Sequence, residues 1–346
     1  MRQLLVTGGA GFIGSNFVRQ VMEERPDWSV LVLDKLTYAG REENLAGLEG
    51  SGDRFRFFRG DVCDERAVGE CIRDGAIDTV VHFAAESHVD QSIASPYVFT
   101  EANVLGTQVL LEAARAAKVE RFHYVGTDEV YGHVAAPQRS LEGDAFAPRS
   151  PYAATKAAAE HLVSAYGVTF GLPVTITRGS NTIGPRQFPE KAASLFITNA
   201  IDGQPLPIYG DGLQVRDYMH VDDHCAAILA VLENGQVGEA YNVGTGVETA
   251  NIKMARTVLR ALERPESLIR HVADRAGHDR RYALETSKLR ALGWAPRMDF
   301  GGAIAATVEW YVDNEAWWRP IKSGEFRQWY EQQYRERLAA GDTTGG

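Results

Sequence analysis

Apolar runs and helical periodicities alternate through the first half of the chain. Gln3–Gly8, Ser29–Asp34, Phe55–Asp61, Asp78–Ala85, Arg121–Thr127 and Pro173–Gly179 are short and mostly continuous in their hydrophobicity. Strands of a parallel sheet covered on both faces look like this, whereas half-exposed strands alternate. Between them, Gly11–Glu24, Glu65–Arg73, Tyr97–Ala117 and Tyr152–Phe170 repeat apolar residues at helical spacing. The β-α alternation predicts an α/β fold with a doubly wound parallel sheet of the Rossmann type. A seventh strand is expected at Glu239–Gly244, after a long excursion.

From about Gly179 the texture changes. Gly and Pro punctuate Ile183–Pro189 and Gly203–Gly212, and the segments become shorter. Residues 182–214 and 246–330 are expected to form a smaller α/β substrate-binding lobe over the carboxyl edge of the sheet, where ligands bind in this architecture. The nucleotide-binding domain then takes residues 1–181, with the chain returning to it at about 215–245. Residues 339–346 are small and polar, and read as a flexible tail.

The run T-G-G-A-G-F-I-G sets Gly8, Gly11 and Gly14 directly after the first strand and at the start of a helix. Gly8 permits the tight turn, Gly11 lets backbone approach a pyrophosphate, and Gly14 allows close helix–strand packing. The helix amino terminus then offers free N–H groups to phosphates. Glycines alone are a weak signal, since a structural turn needs them too. Asp34 strengthens it, because a carboxylate ending the second strand can accept from the adenosine ribose hydroxyls and repels a 2′-phosphate. NAD is therefore expected over NADP, although Lys35 follows at once. Asp61 ends the third strand, where it can meet the adenine. Around these, Phe12 and Ile13 in the turn, Leu36 and Thr37 after Lys35, Val62, and Phe83, Ala84 and Ala85 complete the expected cofactor contacts.

Composition narrows the setting. The chain has 346 residues, 45% hydrophobic and 24% charged, ordinary for a soluble globular protein. No apolar run approaches the ~18 residues that span a bilayer. The amino terminus enters a strand with no basic leader, so a cytoplasmic address and no membrane partner are expected. Cys63, Cys71 and Cys225 show no metal-ligand spacing and are expected to be reduced, with no metal bound. A net charge of −10 argues against nucleic acid. An anionic ligand must then meet a local cluster of basic groups.

Tyr152 and Lys156 form Y-x-x-x-K at a helix start, which puts both on one face. An ammonium near the phenol is expected to lower its pKa from ~10 toward that of a general base. An isolated Y-x-x-x-K is more often plain helix surface; behind a Rossmann half it reads as catalytic. Thr127 ends the fifth strand, placed to hydrogen-bond an oxygen being oxidised by Tyr152.

At this point the motifs G-T-D-E-V-Y-G, S-P-Y-A-A-T-K and F-A-A-E-S-H-V-D come together, and the chain resembles the nucleoside diphosphate-glucose 4,6-dehydratases, extended short-chain dehydrogenases. The resemblance continues through T-R-G-S-N-T-I-G-P-R-Q-F-P-E-K, P-L-P-I-Y-G-D-G-L-Q-V-R-D and D-R-A-G-H-D-R-R-Y, about residues 2–295. It implies tightly bound NAD regenerated at each turnover and a nucleoside diphosphate hexose, dTDP-glucose foremost, as substrate. It also implies that Glu129 removes the C5 proton and that Asp128, as a neutral acid, protonates the departing C6 hydroxyl. The same likeness assigns Arg216, Arg275 and His278 to the diphosphate and ribose, Asn181 and Lys191 to sugar and phosphate, and Pro207, Ile208 and Tyr209 to a nucleobase wall. Asn251 falls at a matching position, and Ser87 near the sugar. A homodimer through a four-helix bundle of Tyr97–Ala117 and Tyr152–Phe170 is the family's usual assembly.

The chain departs from the family's pattern at Gly126, Gly179, Thr182, Ile183 and Gln187, where Ser, Cys, Asn, Tyr and His are usual, and Arg186 adds a positive charge beside the lobe. UDP- or GDP-hexoses as substrates, a 4-epimerase or decarboxylase on the same fold, and a silent NAD-binding scaffold are the alternatives. The Thr127-Asp128-Glu129 run argues against the epimerase, and the intact Tyr152/Lys156 pair against the scaffold.

Overall fold

The computed structural model describes residues 2–274 and 277–324, with Tyr330, Tyr334 and Leu338 beyond them. Arg275 and the tail at 339–346 therefore lie outside the described residues. Strand β1 (Gln3–Thr7) leads through the glycine turn into α1 (Phe12–Glu24), then β2 (Ser29–Asp34) and β3 (Phe55–Arg59). Helix α2 (Glu65–Asp74) follows, capped by Asp64, whose side chain accepts from the Arg66 and Ala67 N–H groups. Next comes β4 (Thr79–His82).

The helix expected at Tyr97–Ala117 is broken into pieces. Helix α3 (Val89–Ala94) precedes α4 (Pro96–Thr100), which starts at Pro96, a natural first-turn residue. One π turn (Glu101–Leu105) separates α4 from α5 (Gly106–Ala117). Within that turn Asn103 accepts the Glu86 N–H at 2.8 Å and donates to the Glu86 carbonyl at 3.0 Å, so the irregularity anchors the loop after β4.

Strand β5 (Arg121–Thr127) runs into a 3-10 turn at Asp128–Tyr131. Helix α6 (Pro151–Phe170) is capped by Ser150, which accepts from Ala153 N–H, and stops at Gly171 with φ +68°. After β6 (Val174–Gly179) come β7 (Asn181–Ile183), α7 (Ala192–Ile201), β8 (Leu206–Tyr209) and β9 (Val215–His220). The remainder is α8 (Val221–Asn234), β10 (Ala240–Val243), β11 (Glu248–Ala250), α9 (Asn251–Ala261), β12 (Ile269–Val272), α10 (Ser287–Arg290), α11 (Phe300–Asp313) and α12 (Glu315–Ser323).

Seven strands form the main sheet in the order β10-β6-β5-β4-β1-β2-β3, every pair parallel. All six expected strands and the seventh at Ala240–Val243 belong to it. The inner strands β4 and β6 are buried throughout, as a sheet covered on both faces requires, while the edge strand β3 is only partly covered. Two apolar layers do the covering, one built around Leu5, Leu110 and Phe122, the other around Leu4, Phe17 and Ile228. Strand β9, expected with the returning chain, instead pairs with β7 and β11 in a three-stranded sheet; α8 and β10 make the return. A separate core of Phe196, Met254, Ile304, Tyr311 and Trp318 holds the later helices together.

Candidate active site

The order of the main sheet reverses between β1 and β4, so the loops after these strands diverge and leave a crevice. A cavity of about 590 Å³ fills it, walled by the strand ends on one side and by β7, α7, β8 and β9 on the other.

At one end lies the glycine turn. Gly8 has φ +69°, and a Cβ there would come within 2.6 Å of the Ala84 backbone nitrogen. A Cβ on Gly14 would run into the Gly8 carbonyl. The turn can therefore be this close to the sheet only with glycine at both places. Asp34 ends β2, 8% exposed, with its carboxylate accepting from the N–H groups of Ala10 and Leu36, both at 2.9 Å. Burial pushes its carboxyl up, and those two donors oppose the shift. Lys35 does not stand free beside it: its ammonium is 2.5 Å from Asp61. Gly11, Phe12, Ile13, Thr37, Val62, Phe83, Ala84 and Ala85 border the cavity with them. Leu36 does not. Its backbone takes φ +57° to bond Asp34, and the side chain turns into the core beneath α1. This cradle and carboxylate fit a dinucleotide.

Thr127, Glu129, Tyr152 and Lys156 border the middle of the cavity. Tyr152 and Lys156 are both buried on α6. Lys156 donates to the Val125 carbonyl at 2.9 Å and lies 4.2 Å from the Tyr124 ring centroid. Burial brings its pKa down to about 7, opposed by Glu160. The expectation that Lys156 pulls the Tyr152 phenol down is not met. Burial and the charge of Glu129 push that phenol up, and only a hydrogen bond with Thr127 opposes them. Asp128 is 3% exposed at the cavity edge beside Thr127, whose hydroxyl is 3.5 Å from its Oδ1, and its other carboxylate oxygen lacks a hydrogen-bond partner. Burial first, then Glu129, hold its carboxyl well above the ordinary carboxylate range, against the pull of Arg216. Two adjacent carboxyls thus have different surroundings: Glu129 borders the cavity, and Asp128 is buried beside it with its carboxyl pushed up.

On the lobe side the expected residues Ser87, Asn181, Lys191, Pro207, Ile208, Tyr209, Arg216, Asn251 and His278 all border the cavity. Lys191 reaches across to donate to the Ser87 carbonyl at 2.7 Å, and Tyr209 donates to Asp90 at 3.0 Å, so the lobe is tied to the loop after β4 and to α3. Arg216 is 5% exposed; it spends two donors on the Val215 and Asp279 carbonyls and stacks 4.2 Å from the Tyr282 ring centroid, leaving further N–H groups for an anion. Asn251 accepts from Tyr218 at 2.6 Å, and His278 pairs with Asp274 at 2.6 Å. Arg186, the extra cation, stays outside the cavity. It donates to Asn16 of α1 at 3.0 Å and lies 5.7 Å from the Trp310 ring centroid.

Several lining residues are not marked by the sequence. Glu190 accepts from Tyr38 at 2.9 Å and lies 3.5 Å from His88. Glu190 and His88 stand in quoted motifs (F-P-E-K and E-S-H-V-D), but the resemblance singles out only their neighbours Lys191 and Ser87. His224 and Tyr334 also border the cavity, and no motif marks either. Among the described residues no group of three or more His, Cys, Asp or Glu side chains could hold a metal.

The model of the GDP-mannose 4,6 dehydratase family matches residues 5–307. A curated dTDP-glucose 4,6-dehydratase of Streptomyces niveus is 47% identical over 327 residues, covering 93% of this chain and 96% of that protein. dTDP-glucose 4,6-dehydratase 1 of Escherichia coli (strain K12) is 45% identical, over 97% of this chain and 99% of its own. The crystal structure of a dTDP-glucose 4,6-dehydratase from Streptomyces venezuelae, with NAD and dTDP bound, superimposes with a TM-score of 0.89 at 49% identity, covering 93% of this chain and all of that one. Together with the motif order, the switch-point cavity and the paired carboxyls, these likenesses show that the chain belongs to the GDP-mannose 4,6 dehydratase family of extended short-chain dehydrogenases.

Proposed function

We propose that the chain is an NAD-dependent dTDP-glucose 4,6-dehydratase, a hydro-lyase that turns the nucleotide-linked hexose into its 4-keto-6-deoxy form. The observation that carries this reading is the Asp128–Tyr131 turn, in which a buried Asp128, its carboxyl pushed up by that burial, stands next to Glu129 and near Tyr152. A 4-epimerase needs only the tyrosine; expulsion of water needs an acid and a base as well.

NAD, held by the Gly8–Gly14 turn and Asp34, supplies the hydride acceptor for C4 and the donor for C6, and so ends the cycle unchanged. Tyr152 Oη takes the C4 hydroxyl proton, with Thr127 Oγ1 bonded to the same oxygen. Lys156 is the cation that draws the phenol toward ionisation once charge develops. Glu129 removes the C5 proton, made acidic by the C4 ketone, and returns a proton to C5 once hydride has been delivered to C6. Asp128 gives its proton to the C6 hydroxyl, which leaves as water. The lobe of residues 182–214 and 246–330, with Ser87, Asn181 and Arg216 from outside those ranges, holds the nucleotide end: Pro207, Ile208 and Tyr209 against the base, Arg216 and His278 (with Arg275) at the diphosphate, and Ser87, Asn181, Lys191 and Asn251 about the sugar and phosphates.

The test is incubation with dTDP-glucose deuterated at C4. A product lighter by one water and carrying the label at C6 is expected. Unlabelled C6, or a galactose sugar as the sole product, refutes the assignment. Parallel incubations with UDP- and GDP-glucose decide the base.

The chain also forms, in this reading, a homodimer through α4–α6. Supporting it, Tyr97 is 76% exposed, and Val98 and Leu105 on the same helical stretch are exposed too. Sedimentation at micromolar concentration as a monomer refutes it. Among the described residues no helix is long and apolar enough to cross a membrane. The free thiols of Cys63, Cys71 and Cys225 fit a reducing cytoplasm.

A further inference from the structure

His224 is the fourth residue of α8, 2% exposed, yet its ring borders the cavity beside Gly179, Ser180 and Thr182. Its Nδ1 is 2.8 Å from the Thr182 hydroxyl oxygen, which also lies 3.2 Å from the Ser180 carbonyl. A carbonyl only accepts, so the hydroxyl makes both contacts at once only by donating to Ser180 and accepting from Nδ1, which then carries the ring proton. Burial brings the imidazole pKa down to about 4, so the ring is neutral at working pH. Nε2 is then a bare acceptor. It is buried and has no hydrogen-bond partner. Buried acceptors are nearly always paired, so this one asks for a donor from a bound molecule.

The position says which molecule. Gly179 lies opposite Thr127 in the β5–β6 register, so the imidazole stands at the reacting end of the cavity, the end of Tyr152 and not of Asp34. Only glycine at 179 leaves it there: a Cβ would lie 2.5 Å from Cε1 and 2.7 Å from Nε2. The next residue, Cys225, rests its thiol 3.7 Å from the Ile13 carbonyl of the glycine turn, so this part of α8 belongs to the cofactor wall and not to the lobe. The donor expected at the reacting end on that wall is the carboxamide N–H of a nicotinamide.

We infer that His224 orients the nicotinamide by accepting a hydrogen bond from its carboxamide N–H at Nε2, with Thr182 fixing the ring tautomer. The inference rests on the NAD reading above. His224 is a positioning residue: it touches the cofactor's amide and moves no proton, and it sets how the ring is turned toward C4.

Cofactor-stripped protein titrated with NAD, ADP-ribose and the 3-acetylpyridine analogue of NAD tests it, because the analogue replaces the carboxamide NH2 by a methyl group. The parent is expected to bind the analogue about tenfold more weakly than NAD, the effect of one lost buried hydrogen bond. His224→Phe should bind NAD and the analogue alike while keeping the parent's affinity for ADP-ribose, which has no nicotinamide. Thr182→Val, with the ring in place but Nδ1 released, should discriminate less than the parent. Equal binding of NAD and the analogue by the parent overturns the inference, since it means that a sugar hydroxyl or nothing meets Nε2. ADP-ribose binding that falls with NAD binding in His224→Phe overturns it too, by exposing a purely structural role. A parent that binds ADP-ribose but shows no preference for NAD over it also refutes the contact, whereas a parent that binds none of the three refutes the enzyme assignment itself.

Discussion

Asp34 accepts the Ala10 backbone N–H at 2.9 Å, so the carboxylate that ends β2 is fixed against the glycine turn it serves. Its fixed charge, and not only its shape, should set cofactor choice, because it accepts from ribose hydroxyls and repels a 2′-phosphate. Asp34→Asn is expected to weaken NAD binding by about tenfold, the scale of one charge-assisted hydrogen bond. Lys35 is occupied by Asp61 at 2.5 Å and cannot welcome the extra phosphate. Asp61→Asn releases it, so the NADP-to-NAD affinity ratio should rise in that variant. Titration with both cofactors checks the pair; an unchanged ratio in Asp61→Asn shows that the Lys35 ion pair has no part in selectivity.

Asp128 and Glu129 are adjacent, but only Glu129 reaches the cavity wall. Replacing Asp128 with Asn removes a proton donor while keeping its volume. C4 oxidation, followed by absorbance of the reduced cofactor, should survive, whereas water loss should slow by about 100-fold or more, the usual worth of general acid catalysis. Dehydration at the parent rate would show that the acid lies elsewhere. Glu129→Gln should instead abolish exchange of the C5 proton with deuterated solvent.

Much of this was legible in the sequence because the sheet is buried on both faces. Continuous apolar runs such as Leu4–Val6 and Val80–Val81 have no other comfortable place, and the glycine spacing follows from backbone contacts that any side chain would break. What escaped depends on tertiary contact. Leu36 stands in the cofactor stretch, but a left-handed backbone turns it inward, and no one-dimensional pattern reports that. The helix through Tyr97–Ala117 is broken because Asn103 serves Glu86, seventeen residues away. The Tyr152 phenol is pushed up and not down because burial and the charge of Glu129 outweigh the Thr127 hydrogen bond, a balance that spacing alone does not reveal.

Behind the catalytic turn, Arg178 donates to Glu160 through Nε at 2.8 Å and Nη2 at 2.5 Å, and also to the Tyr131 hydroxyl and, at 2.8 Å, the Glu142 carbonyl. Both charged side chains are under a tenth exposed. Removing one partner leaves the other charge buried alone, which costs about 3–5 kcal/mol. Arg178→Met should therefore lower unfolding free energy by that amount in urea, and more than the double variant with Glu160→Met does. If the double variant were the less stable of the two, the loss would come from packing and not from an orphaned carboxylate.

Glu190 gives the chain a pH-dependent stability term. Burial raises its pKa from 4.5 to about 7, against the lowering effects of Lys191 and of the Tyr38 hydroxyl. A folded-state pKa above the unfolded one means that the folded chain holds a proton which the unfolded chain releases earlier. The contribution is thus fully present below pH 4.5 and is lost as the pH rises through 7. Glu190→Gln keeps an oxygen for the Tyr38 hydroxyl and has no proton to lose. Its unfolding free energy should fall less steeply than the parent's between pH 4.5 and 7, and the gap in favour of the variant should be widest above pH 7. Denaturant unfolding at fixed cofactor concentration across this window measures the slopes, since bound ligand adds its own stabilisation. Parallel curves for parent and variant would mean that Glu190 ionises no differently in the folded chain than in the unfolded one.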